Sequence, residues 1–239
     1  MICRTKREGR HALLSLCFDG HFYLRFVRRG GIWAVLLLGA ATVLGAAKVE
    51  TTGACTESAV PDSVKKVLAA EGYRVTLDDG LTANLWPAAQ IQTSSKVRED
   101  ATYPLAPSTF FGVIVFGKNT RDCRGNTIPG GTYGLRYELQ PNDGDHLGIS
   151  PTPDFLLLVP VAADPNPAQV YSFDQLVHLS EQVTGKKHPA PLNLMPADTT
   201  QFPSVMTDSE ERTILFFKVK TQSSGDLAFG LVVKAPSSE

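Results

Sequence analysis

The sequence predicts a mainly β fold: a single β-sandwich-like domain of about eight strands with two short helices. Three observations carry that expectation. Tyr133, Leu135, Tyr137 and Leu139 alternate with Gly134, Arg136 and Glu138, the period-2 pattern of a strand with one buried and one solvated face. Phe155 to Val159 is instead a continuous apolar run, as in a strand covered on both faces. Finally, strand signals follow one another along the chain without alternating helices, which excludes a doubly wound α/β sheet.

The first 47 of the 239 residues read as a leader. Arg25, Arg28 and Arg29 precede an apolar or small-residue run from Gly30 to Ala47. Gly45-Ala46-Ala47 supplies small side chains one and three places before a cut, so cleavage is expected after Ala47. An uncleaved membrane anchor is the rival, because Ile32 to Ala47 is only slightly short of the roughly 20 residues that span a bilayer. Gly30-Gly31-Ile32-Trp33 departs from a twin-arginine signal, which favours the general secretory route. Met1 to Phe26 fit no secretory n-region, and translation starting near Val27 would account for them. The expected product is exported, periplasmic or extracellular, and touches a membrane only through its N-terminal segment. Residues 48–239 are expected to form one β-rich domain, since about 190 residues bury a single sizeable core.

Setting the leader aside removes 7 of 23 basic and 2 of 24 acidic residues, leaving 16 against 22, a net charge of -6. That balance disfavours nucleic acid and anionic lipid headgroups as partners. Cys55 and Cys123 remain from four cysteines, and an even pair in an exported chain is expected to be bridged. Such a bridge would add about 4 kcal/mol. Two free thiols is the alternative. A lipid anchor on Cys55 lacks the apolar residue that should precede it by three places.

Taken in order, Pro61 to Glu71 predicts a short helix with Val60, Val64, Val67 and Leu68 on one stripe and Gly72 at its end. Tyr73, Val75 and Leu77 run into Asp78-Asp79-Gly80 and then Leu81 to Trp86, a hairpin with an Asp-Gly turn. Gln92 to Ser108 is polar and Pro-containing and reads as a surface loop. Phe110 to Phe116 is a buried strand. Arg121 to Gly131 is a second loop, whose Pro129-Gly130-Gly131 end turns into the strand through Tyr133. After Asp164-Pro165-Asn166-Pro167, Ser172 and Gln175 form a capping-box signature. Phe173, Leu176, Val177, Leu179 and Val183 then give a helical stripe ending at Gly185. Pro189 to Pro196 is extended, with Leu192 and Leu194 as its inward pair. Ile214 to Val219 and Leu227 to Val233 close the chain as a hairpin.

Concentrated chemistry lies in the loop from Pro141 to Pro153 and at its end. Asp143, Asp145 and His146 stand together there, and carboxylate with imidazole can hold a divalent metal ion if Asp154 or His188 completes the shell. The plainer reading makes Asp143 to His146 a turn, because Asp bonds nearby backbone amides and Gly accepts positive φ. The spacing matches neither an EF-hand loop nor a two-histidine zinc helix. Ser150 has no nucleophile elbow around it, and no glycine-rich phosphate loop follows any strand. His178, within the helix stripe region, reads as structural.

The segment IPGGTYGLRYELQPNDGDHLGISPTPDFLLLVP, continued by the helix and TGKKHPAPLNL, resembles a family of exported bacterial proteins. A Gly-Thr-Tyr strand, a Gly-Asp-His loop and an Asp-Phe-Leu-Leu strand recur in it. The resemblance spans roughly Phe110 to Leu194 and implies no activity, but it implies that Asp145, His146, Asp154 and His188 form a shared site. The leading expectation is a non-enzymatic binding protein of the cell envelope without cofactor, its ligand or partner unspecified. The alternative is a metal-binding protein or metal-dependent hydrolase built on Asp145, His146 and His188.

Overall fold

Residues 47–142, 152–223 and 225–236 are described by a computed structural model of the protein. In chain order the elements are β1 (Lys48–Thr52), α1 (Asp62–Lys65), β2 (Gly72–Thr76), β3 (Thr82–Pro87), β4 (Phe110–Phe116), β5 (Thr120–Arg121) and β6 (Thr127–Ile128). They continue with β7 (Gly131–Leu139), β8 (Asp154–Pro160), α2 (Phe173–Thr184), β9 (Pro191–Met195), β10 (Ser204–Thr207), β11 (Thr213–Lys220) and β12 (Asp226–Lys234). Ten strands make one antiparallel sheet in the order β1-β2-β3-β4-β7-β8-β9-β12-β11-β10, with β5 and β6 paired separately. The sheet is nearly barrel-shaped, and β1 comes round to touch β10.

The mainly β class is therefore as expected, while the strand count exceeds eight and the sheet is continuous. Strand β9 explains the difference from two facing layers, because it pairs with β8 on one side and β12 on the other and so joins the halves edge to edge. The additional strands carry no hydrophobic signal. β1 is solvated and polar, pairing with β2 from Lys48↔Thr76 to Thr52↔Gly72. The one-turn α1 replaces the longer helix expected from Pro61 to Glu71. Val60, Val64 and Leu68 do bury their stripe, but the chain then leaves the helical path so that Ala69 N–H donates to the Pro87 carbonyl.

Helix α2 forms where its caps say it should. The Ser172 hydroxyl accepts from Gln175 N–H, the Gln175 side chain accepts from Ser172 N–H, and Gly185 ends the helix at φ 65°. Asp78-Asp79-Gly80 turns the β2–β3 hairpin, with Gly80 at φ 76° and Leu81 N–H donating to Asp79. Trp86 is buried, and its indole N–H donates to the Gly53 carbonyl, which fastens the segment after β1.

One face of the sheet packs Leu135, Leu156, Leu158, Leu194, Phe217, Phe229 and Leu231 into the main core. The segment between β3 and β4, expected on the surface, sends Ile91, Tyr103 and Leu105 into that core. Tyr103 stacks on Phe229 at 4.4 Å between centroids, and Phe111 meets Phe229 edge-on at 5.0 Å. The polar character of Gln92 to Ser108 hid this, because within it only Tyr103 and Leu105 make the descent, Ile91 standing just before it.

The opposite face of β7 is not solvated, contrary to its alternating pattern. Arg136 is 1% exposed and makes a two-pronged ion pair with Asp164, at 2.7 Å on each arm. Its remaining N–H groups reach the carbonyls of Ser108, Asn166, Pro167 and Gln169, and its plane lies over Phe110 and Tyr171. A buried guanidinium is tolerated because every donor is used. The ion pair thereby anchors the connection from β8 to α2.

Cys55 and Cys123 are both free thiols, which corrects the expected bridge. Cys55 belongs to the main core, whereas Cys123 packs against a separate cluster of Ile214, Phe216, Val232 and Ala235. Among the described residues no helix is long and apolar enough to cross a membrane. Apart from Ala47, the expected leader lies outside the described residues.

Candidate functional site

Strand register sets the floor of the site. Glu138 of β7 stands opposite Phe155 of β8, and Phe155 stands opposite Asn193 of β9, so the three share a transverse row on the face away from the main core. Leu157 and Pro191 form the next row. Helix α2 covers this face through Leu176, which packs on Phe155, Leu157 and Val159.

The cover is incomplete. A cavity of about 160 Å³ remains above Phe155, Leu157, Pro191 and Asn193. Phe173 and Val177 of α2 form one wall, Cys123 and Arg124 of the β5–β6 turn a second, and His188-Pro189 and Gln140-Pro141 the ends. That volume is close to the roughly 150 Å³ of a dry cavity that admits a benzene ring.

The polar groups of the cavity are held in place by short-range contacts. Asp122 is 2% exposed, and one of its oxygens accepts from the backbone N–H groups of Arg124 and Asn126 at 2.9 and 2.8 Å. Its other oxygen accepts from the Asn126 amide, so the turn presenting Arg124 is rigid. The Arg124 guanidinium lies 3.1 Å from His188 Nε2, and His188 Nδ1 lies 2.7 Å from the Pro189 carbonyl. Since a carbonyl only accepts and a guanidinium only donates, the imidazole carries its proton on Nδ1 and offers a lone pair from Nε2. Thr184 holds this segment by donating to the His188 carbonyl at 2.7 Å.

Asn193 is 4% exposed, and its side-chain amide makes no hydrogen bond among the described residues. Beside the same row, Glu138 is 3% exposed and its Oε1 has no partner. Burial pushes the Glu138 carboxyl up to about 7, against the opposing pull of the Leu139 and Ser108 backbone amides. Burial likewise pushes the Cys123 thiol up to about 11, which leaves it protonated and a poor nucleophile.

Of the residues expected to form a site, the two that are described, Asp154 and His188, lie on opposite sides of the sheet. Asp143, Asp145 and His146 lie outside the described residues. Asp154 is fully buried on the core side, where Thr102 N–H, Tyr103 N–H and the Tyr137 hydroxyl donate to it at 2.8, 3.1 and 2.6 Å. It is the anchor that draws the β3–β4 segment into the core. His188 lies across the sheet from it, on the cavity side, and faces a guanidinium, an environment that repels a cation. Asp154 and His188 therefore do not complete one metal shell together. Among the described residues no three His, Cys, Asp or Glu side chains are placed to hold a metal ion. His178 is exposed and pairs with Glu181 on α2.

Sequence reading missed Arg124 and Asn193. Arg124 sat in a segment read only as a turn. Asn193 had a signal, because it lies between Leu192 and Leu194 and alternation places it on the other face. The chain matches no protein-family model, no curated protein and no solved structure.

Proposed function

We propose that the protein is a non-catalytic, exported binding protein of the cell envelope whose ligand occupies the cavity between α2 and the outer face of β8 and β9. One observation carries this reading: an apolar cavity of about 160 Å³ is lined by Asn193, whose side-chain amide makes no hydrogen bond among the described residues. A few polar groups placed in an apolar cavity orient a ligand, and this amide has its hydrogen-bonding capacity available for one. The basic, apolar and small-residue order of residues 25–47 supports export. The aromatic packing around Phe229 fills the main core and leaves the outer face as the place for a guest.

The ligand class is a small molecule with a ring-sized apolar body. The test uses neutral ring probes, toluene and benzyl alcohol, titrated into the protein and followed by melting temperature and by ligand-observed NMR. Binding of either is expected in the native protein and lost in Val177→Trp, whose half-buried position on α2 lets an indole fill the space. Absence of binding, or binding that survives the tryptophan, would overturn the reading.

A further inference from the structure

We infer that the ligand is a monocarboxylate, with its apolar body in the cavity and its carboxylate on the Arg124 guanidinium. The inference rests on the cavity being a ligand site and adds the head group.

Three guanidinium groups among the described residues close on carboxylates. Arg136 closes on Asp164, Arg98 on Asp100, and Arg212 on Asp208 and Glu210. Arg124 has only the neutral imidazole nitrogen of His188, and no carboxylate among the described residues pairs with it. Arg74 and Arg121 likewise have no carboxylate partner among the described residues, but of these three only Arg124 lines the apolar cavity. The cation is also pre-positioned. The Asp122-bonded turn fixes its backbone, and the Nδ1-protonated His188 occupies one N–H and leaves the rest of the fork available. A planar fork of N–H donors matches a carboxylate in two-point contact.

The charge count selects the head group further. One guanidinium compensates one negative charge, and among the described residues no second cationic group lines the cavity. A carboxylate matches that single charge in a two-point contact, whereas a phosphate dianion exceeds it by one. The Asn193 amide, deeper on the floor, is then available to a hydroxyl or carbonyl on the ligand body.

Phenylacetate and phenylacetamide separate the head group from the body, since they share a ring and differ in charge. Isothermal titration at constant ionic strength is expected to show phenylacetate binding about tenfold to a hundredfold tighter, the range of a charge-assisted over a neutral hydrogen bond. Arg124→Gln, at an exposed position, should remove that preference, so that the variant binds phenylacetate and phenylacetamide with equal affinity. Val177→Trp should block both. Equal affinity of the two probes for the native protein would overturn the carboxylate and leave the cavity reading standing, whereas failure of both would overturn the cavity itself. Tighter binding of phenyl phosphate than of phenylacetate would also refute the inference. N-acetylphenylalanine carries the same ring and carboxylate as a peptide end: if it binds tighter than phenylacetate the carboxylate comes from a chain terminus, and if weaker, from a free acid.

Discussion

Glu138→Gln isolates the energetic consequence of burying a carboxyl group on the face of β7 away from the main core. The side chain is 3% exposed, Oε1 has no partner, and its pKa rises from 4.5 to about 7. The folded protein therefore holds this proton more tightly than the unfolded chain does. Below about pH 4.5 both states are protonated and the group is neutral in its effect on stability; above about pH 7 the folded state carries a buried carboxylate and is destabilised. At about 1.4 kcal/mol for each tenfold change in proton affinity, the full penalty is about 3 kcal/mol, reached as pH rises through the window from 4.5 to about 7. Glutamine keeps the shape and removes the titration. Urea denaturation of both proteins from about pH 4.5 to about pH 8 measures it, and the difference between the two isolates Glu138. Asp79 and Asp208, whose pKa values are lowered by Lys234 and Arg212 against the opposing effect of burial, slope the other way but are common to both proteins and cancel. The variant should gain about 3 kcal/mol on the native protein across that range. Parallel stability curves would refute the buried, proton-holding carboxyl.

Two further substitutions probe the polar anchors. Asp164→Ala strands the Arg136 guanidinium in a buried site and should cost about 3 to 5 kcal/mol in urea unfolding, much of it recovered when Arg136→Met is added. Asp154→Ala removes the acceptor for the Thr102 and Tyr103 amides and the Tyr137 hydroxyl. It should cost about 3 kcal/mol or more and expose the β3–β4 segment to limited proteolysis, with phenylacetamide affinity in the folded protein unaffected, because Asp154 is on the core side.

Local periodicity carries a strand's existence but not what covers it, and β7 shows where the difference lies. Its seven-residue alternation from Tyr133 to Leu139 correctly placed Leu135 and Tyr137 in the core. It also placed Arg136 and Glu138 on a solvated face, which is wrong, because their burial depends on Asp164 and Ser108, which are distant in sequence. Helix α2 was legible to the residue because the capping box and Gly185 are local signals. Strands β1, β5, β6 and β10 were not, since a short or solvated strand is stabilised by its neighbours' backbone groups and needs no apolar pattern of its own.

The same distinction governs the site. Grouping Asp154 with His188 treated proximity of residue types along the chain as proximity in space, but Asp154 and Phe155 are adjacent in a strand and so point to opposite faces. Phe155 goes with His188 to the cavity; Asp154 goes to the core. A one-residue step in a β-strand thus separates a structural anchor from a ligand wall. The charged residue that the sequence made conspicuous is consumed by three hydrogen bonds, whereas Arg124, set in an unremarked turn, keeps its donors for a guest.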